Sequence, residues 1–178
     1  MKIEIKEKGS KEFYKEVINL SSQYRYLVAK KDYKLKDYFS QFKKLLIAGC
    51  IVLGLLIVMC IFWGFKTLDY IAIIVLGITM LMCGAYVSTL NKYLQTMMAE
   101  AGDSVLTLDK EGVELERKDA QQFRISWSNI DFVVCNKESL AFVPKLKTGV
   151  IIATERKYED QITDWLKENK PEIEIRYN

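Results

Sequence analysis

The side chains able to do chemistry are few in this chain, and their spacing suits none of the common reactions. No histidine occurs among its 178 residues. That removes the commonest general base, the Ser-His and Cys-His nucleophile pairs, and every histidine-ligated metal site. Of the four cysteines, Cys50, Cys60 and Cys83 lie in long apolar runs and Cys135 ends an apolar strand pattern, with no Cys-x-x-Cys pair among them. They read as small hydrophobes in a reducing compartment. Neither Gly-x-x-x-x-Gly-Lys-Ser/Thr nor Gly-x-Gly-x-x-Gly is present, so no phosphate-cradling loop is expected. Glu114 with Glu116, and Glu159 with Asp160, have the proximity of carboxylate pairs, but solvated strand and helix faces carry such pairs routinely. The chain is expected to be no enzyme and to use no cofactor or metal.

What remains is positive charge in two places. Residues 30–44, KKDYKLKDYFSQFKK, hold six lysines (Lys30, Lys31, Lys34, Lys36, Lys43 and Lys44) against two aspartates. Beside an anionic leaflet such a segment gains up to about 1 kcal/mol per lysine. The second place is a turn, where Lys145 and Lys147 could hold a phosphate-bearing or other anionic ligand. The net charge of +3 conceals an asymmetry, with +6 over residues 1–44 and −3 over residues 92–178. The negative C-terminal part works against an anionic ligand at the turn and favours a solvated loop. Because basic and acidic residues alternate everywhere except in residues 30–44, no nucleic-acid partner is expected.

The elements that carry these residues divide the chain into three. Two stretches of 21 residues, Leu45 to Phe65 and Tyr70 to Leu90, contain no charge. As helices each reaches roughly the 30 Å of a bilayer's hydrocarbon core. A pair of buried core helices would carry a polar face, which these lack. An apolar run beginning at residue 45 comes too late for a cleaved leader, so a permanent anchor is expected. Only Lys66-Thr67-Leu68-Asp69 separate the runs, which implies an antiparallel hairpin. The lysine excess lies on one side of it, placing both termini in the cytoplasm. Phe62, Trp63, Phe65 and Tyr70 are then expected at the outer interface, and Phe42, Tyr86 and Tyr93 at the inner one. Gly77 and Gly84, seven apart, put two smooth spots on one helix face.

Before the hairpin, residues 1–44 form a cytoplasmic segment: a short alternating stretch, then a helix capped by Ser10 with Phe13, Val17, Leu20, Tyr24 and Leu27 on one stripe. That stripe suits packing on the soluble part or on a second copy, with a membrane-surface helix as the alternative. After the hairpin (residues 45–91), the second membrane helix runs on to Glu100 and the period changes to two. Residues 102–178 read as a domain of six short antiparallel strands, a meander, closed by a helix over Lys157 to Asn169 that Pro171 stops. Gly112 is expected to supply positive φ in the first turn. The expected core is Val105, Leu108, Leu115, Ile125, Trp127, Val133, Phe142, Ile151, Trp165 and Leu166, and the domain is expected to fold alone. The fold class is a membrane α-helical hairpin plus an α+β cytoplasmic domain, a pleckstrin-homology-like (PH-like) antiparallel barrel capped by a C-terminal helix.

The order of hairpin, LDKEGVELE, ISWSNIDFVV, LAFVPK and final helix resembles the YcxB-like family of small bacterial membrane proteins, whose C-terminal part is similar to bacterial PH domains. The pieces that match best are Ser126-Trp127-Ser128-Asn129-Ile130 and Phe142-Val143-Pro144-Lys145, and the chain departs from the family pattern at Leu146-Lys147-Thr148. The resemblance implies a PH-like fold and a bacterial plasma-membrane location. The function expected is a non-enzymatic, membrane-anchored binding or scaffold module. Its partners would be the bilayer's anionic inner leaflet and either a protein or a second copy of the chain. The alternative is resistance or immunity to a membrane-active antimicrobial peptide.

Overall fold

The computed structural model describes residues 1–5, 9–29, 34–117, 122–145 and 150–178. They form two compact units: residues 1–36 with 96–178, and residues 37–95. The N-terminal residues therefore belong to the same unit as the β-rich part.

In that first unit, β1 (Lys2–Ile5) pairs antiparallel with β2 (Ser104–Leu108), Ile3 opposite Leu106. β2 pairs with β3 (Gly112–Arg117), and β3 with β4 (Gln122–Ser126), giving a sheet in the order β1-β2-β3-β4. A single 3-10 turn, Trp127–Asn129, then leads to β5 (Ile130–Cys135). The second sheet has the order β7-β6-β5-β8, with β6 at Ser139–Pro144, β7 at Ile152–Glu155 and β8 at Glu174–Tyr177. β8 runs parallel to β5, Val133 opposite Ile175. All six strands expected from alternation are present, but β4 does not pair with β5, and the described residues form two four-stranded sheets with no closed barrel. Two further strands, β1 and β8, extend the two sheets at their edges. The expected turns at 118–121 and 147–149 lie outside the described residues.

The two sheets share one core. Leu106, Leu108, Val113, Ile125 and Trp127 meet Val133, Leu140, Phe142 and Ile152 across it, and α4 (Glu159–Asn169) adds Ile162 and Leu166. Strand parity explains two corrections to the expected core. Val105 alternates with Leu106 and Leu108, so once Leu108 points inward Val105 is left half-buried and Leu106 is the core residue. By the same rule Ile152 fills the core, while Ile151 turns to the opposite face of the sheet. Leu115 and Trp165 are half-buried and pack against the core.

The opposite face of the second sheet is covered by α1 (Lys11–Ala29). Ser10 caps it, its Oγ accepting from the Phe13 amide at 3.0 Å. Leu20 and Leu27, from the expected stripe, lie against Phe132, Val134, Ala141 and Val143. A sheet buried on both faces needs apolar side chains at odd and even positions alike. That is why β5 and β6 read IDFVVC and SLAFVP rather than as a strict alternation. A fragment beginning at residue 102 would lack β1 beside β2 and would uncover Phe132, Val134, Ala141 and Val143, so the expectation that 102–178 folds alone omits elements that complete its core.

Gly112 needs no positive φ; Gly64, at φ 80°, is the positive-φ glycine among the described residues. At Gly112 the requirement is space, since a Cβ there would lie 2.2 Å from the Ile125 carbonyl oxygen. The turn before it is instead built by Asp109, whose Oδ1 accepts from the amides of Glu111 (2.8 Å) and Gly112 (2.9 Å).

The second unit consists of α2 (Tyr38–Trp63, 26 residues) and most of α3 (Thr67–Ala99, 33 residues). At about 1.5 Å per residue they are roughly 39 and 50 Å long. Asp69, in the first turn of α3, accepts from the Lys66 amide at 2.8 Å and so satisfies one of the helix's free donors. Phe42 of α2 meets Tyr86 of α3 with ring centroids 4.6 Å apart. A Cβ on Gly84 would touch Leu46 at 3.6 Å, whereas one on Gly77 would meet nothing within 4 Å. The two glycines expected to share a packing face therefore have different surroundings.

Candidate functional site

The largest chemical anomaly of the molecule is the surface of the hairpin. Of the most apolar stretch of α2 only 6% is buried, and of α3 0%. Phe62, Trp63 and Leu81 are each at least 75% exposed. Each large apolar side chain left in water forfeits about 1.5–3 kcal/mol. Over the exposed Ile, Leu, Val, Met and aromatic residues of both helices the total is on the order of tens of kcal/mol, more than a domain's whole stability. Core helices of a soluble protein would be covered by the chain itself; these are not. Both helices have the length and composition to cross a membrane.

Next to this surface in sequence stands the lysine-rich flank. Asp37 has extended backbone and caps α2, its Oδ1 accepting from the Ser40 amide at 3.3 Å. Lys43 and Lys44 follow on the first turns of α2, exposed, immediately before the uncharged run. Lys34 and Lys36 are exposed as well. The Lys36 backbone is held by a residue that sequence reasoning passed over: the carboxamide of Gln23, in α1, bonds both its amide and its carbonyl. Lys30 and Lys31 lie outside the described residues.

The second charged candidate is the turn after β6. Lys145 is exposed, and its amide donates to the Asn129 carbonyl at 2.7 Å, tying that turn to the 3-10 turn before β5. Lys147 lies outside the described residues.

One member of each acidic pair has a structural partner. Glu159 accepts from Arg156 at 2.6 Å, and Glu114 accepts from Gln122 and stands 3.7 Å from Arg124. Arg124 also pairs with Asp109 (3.0 Å) and Glu111 (2.7 Å). The amides of Gly112 and Glu111, with Arg124 nearby, hold the Asp109 carboxyl below the usual carboxylate range. Burial pushes the Cys135 thiol up to about 11, so it stays protonated and unreactive at neutral pH. Among the described residues no three His, Cys, Asp or Glu side chains converge as metal ligands.

Trp127 occupies the core position that the alternation implied. It is 6% exposed, its ring stacks on Trp165 at 5.6 Å, and its Nε1 donates to the Asp109 carbonyl at 2.8 Å. Comparison of the chain with protein-family models, with curated proteins and with solved structures finds no match.

Proposed function

We propose that this chain is a non-enzymatic binding or scaffold module of a bacterial plasma membrane. The hairpin of α2 and α3 spans the bilayer, both ends of the chain lie in the cytoplasm, and the β-rich unit is held at the inner face to engage a protein or a second copy of itself. The observation that carries this reading is the uncovered apolar surface of the hairpin, continuous in sequence with an excess of exposed lysines on one side, against the single Lys66 at its tip. Lipid covers the apolar surface, and the lysines rest on anionic headgroups, which orients the hairpin.

A PH-like origin of the β-rich unit, within the YcxB-like family, is supported by its strand order along the chain and by a C-terminal helix that sends Ile162 and Leu166 into the core. Topology is the test. With a Cys introduced at Thr67, a membrane-impermeant thiol reagent added to intact cells should label the protein, and a reporter fused after Asn178 should be active only if it works in the cytoplasm. Labelling from outside at positions within 103–170 would overturn the arrangement.

A further inference from the structure

Gln23 sits in the middle of α1 and is fully buried, at 0% exposure. Its Nε2 donates to the Lys36 carbonyl at 2.6 Å, and its Oε1 accepts from the Lys36 amide at 2.9 Å. One side chain thus engages both backbone groups of one residue thirteen positions away, as a neighbouring strand would. A carboxamide at a fully buried helix position is costly unless both its ends are bonded, and an aliphatic residue would fill the space more cheaply. What a leucine could not do is hold the Lys36 backbone. Leu35, next to it, packs against the cluster formed by Leu20, Leu27, Phe132 and Val143, a second tie on the same segment. Only Asp37, the helix cap, separates Lys36 from the first residue of α2. A half-buried polar contact of α1, Glu16 accepting from Ser139 Oγ (2.9 Å) and the Glu138 amide (3.0 Å), by contrast joins two elements of the β-rich unit.

We propose that Gln23 is a latch that holds residues 34–36, the stretch of chain leading into α2, to α1. Closed, it makes residues 34–36 part of the β-rich unit, tied through α1 and its Leu20 and Leu27 to the outer face of the second sheet. Open, it frees that segment while both sheets stay intact. The latch is independent of which ligand or partner the unit engages.

The test uses the full chain in lipid nanodiscs, comparing the native protein with Gln23→Leu and Gln23→Glu. Amide hydrogen exchange is read together with the rate of cleavage after Lys36 by a lysine-specific protease. In Gln23→Leu the Lys36 amide should exchange about tenfold faster or more, and cleavage after Lys36 should accelerate in parallel, with β5 and β6 amides unchanged. Gln23→Glu keeps the acceptor for the Lys36 amide but sets a second oxygen against its carbonyl at a fully buried site, so its effect should be at least as large as that of Gln23→Leu. Unchanged protection of Lys36 in Gln23→Leu would overturn the proposal. So would loss of protection in β5 and β6 in step with Lys36 in both variants, which would make Gln23 an ordinary core residue.

Discussion

Replacing Trp127 by Ala tests the packing of the β-rich unit at its most informative point. The ring is 6% exposed, stacks on Trp165 at 5.6 Å and meets Phe142 edge-on at 6.3 Å. Removing a buried aromatic side chain of this size costs about 3–5 kcal/mol through lost transfer energy and the cavity left behind. The Asp109 carbonyl also loses the indole donor at 2.8 Å. That carbonyl belongs to the turn whose Asp side chain holds Glu111 and Gly112, so the turn loosens too. A net loss of about 4 kcal/mol is a large part of the 5–15 kcal/mol typical of a domain. Cys135 supplies a convenient reporter, being 1% exposed in the same core. Pulsed thiol labelling of the full chain in nanodiscs, with Cys135 resolved from the hairpin cysteines by peptide mapping, measures how often the unit opens. At 1.4 kcal/mol per factor of ten, labelling of Cys135 should rise by about three orders of magnitude. A folded variant in which Cys135 is labelled no faster than in the native chain would refute the burial argument, and Ser126-Trp127-Ser128-Asn129 would then read as a surface.

Gly112→Ala should destabilise the β-rich unit by about 2 kcal/mol or more, measured by the same labelling, because the added Cβ meets the Ile125 backbone at 2.2 Å and neither strand of the pair can move freely. Replacing Lys34, Lys36, Lys43 and Lys44 by Gln should weaken contact with vesicles rich in anionic lipid. The difference from the native chain should shrink as salt is raised, and no difference at low salt would refute that role. Lys145→Ala should leave stability within about 0.5 kcal/mol, since the side chain is exposed. Cys135 sets a pH dependence. Its thiol is raised to about 11 in the folded unit, against about 8.5 in an unfolded chain. Its contribution is therefore fully present below about pH 8.5 and is lost as pH rises toward 11. A Cys135→Ala variant should lose less stability than the native chain between pH 9 and 11, as followed by hydrogen exchange of β5.

The hairpin was legible because its signal is local. Charge-free runs, the short connection and the lysine flank are properties of neighbouring residues; α2 holds the first run as far as Trp63 and α3 the whole of the second. The six strands of residues 104–155 were legible for the same reason, since alternation is a property of each strand alone. The limits appear where two readings of parity compete. SVLTL admits Val105 or Leu106 as its inward residue, and pairing with Ile3 and Leu115 decides for Leu106. β8 was hidden although EIEIRY alternates, because Pro171 reads as the end of the fold and the partner of β8 is β5, some forty residues earlier. Gln23 carried no signal, a lone amide in an amphipathic helix being ordinary until its partner is seen.

The amino-acid sequence by itself determined where the chain needs an apolar surround, roughly where the four helices and the six strands of residues 104–155 lie, and that the common histidine-based chemistries are absent. All of these follow from side-chain type and period within a window of some twenty residues. Tertiary structure alone decided that β4 and β5 part into separate sheets, that residues 1–36 complete the unit formed by residues 96–178, and that Gln23 grips Lys36. The physical reason is that these are choices of partner. A strand edge can bond any other edge, an apolar stripe can cover any apolar face, and a carboxamide can bond any free backbone. Which one it meets is settled by how residues 1–36 and 96–178 pack together.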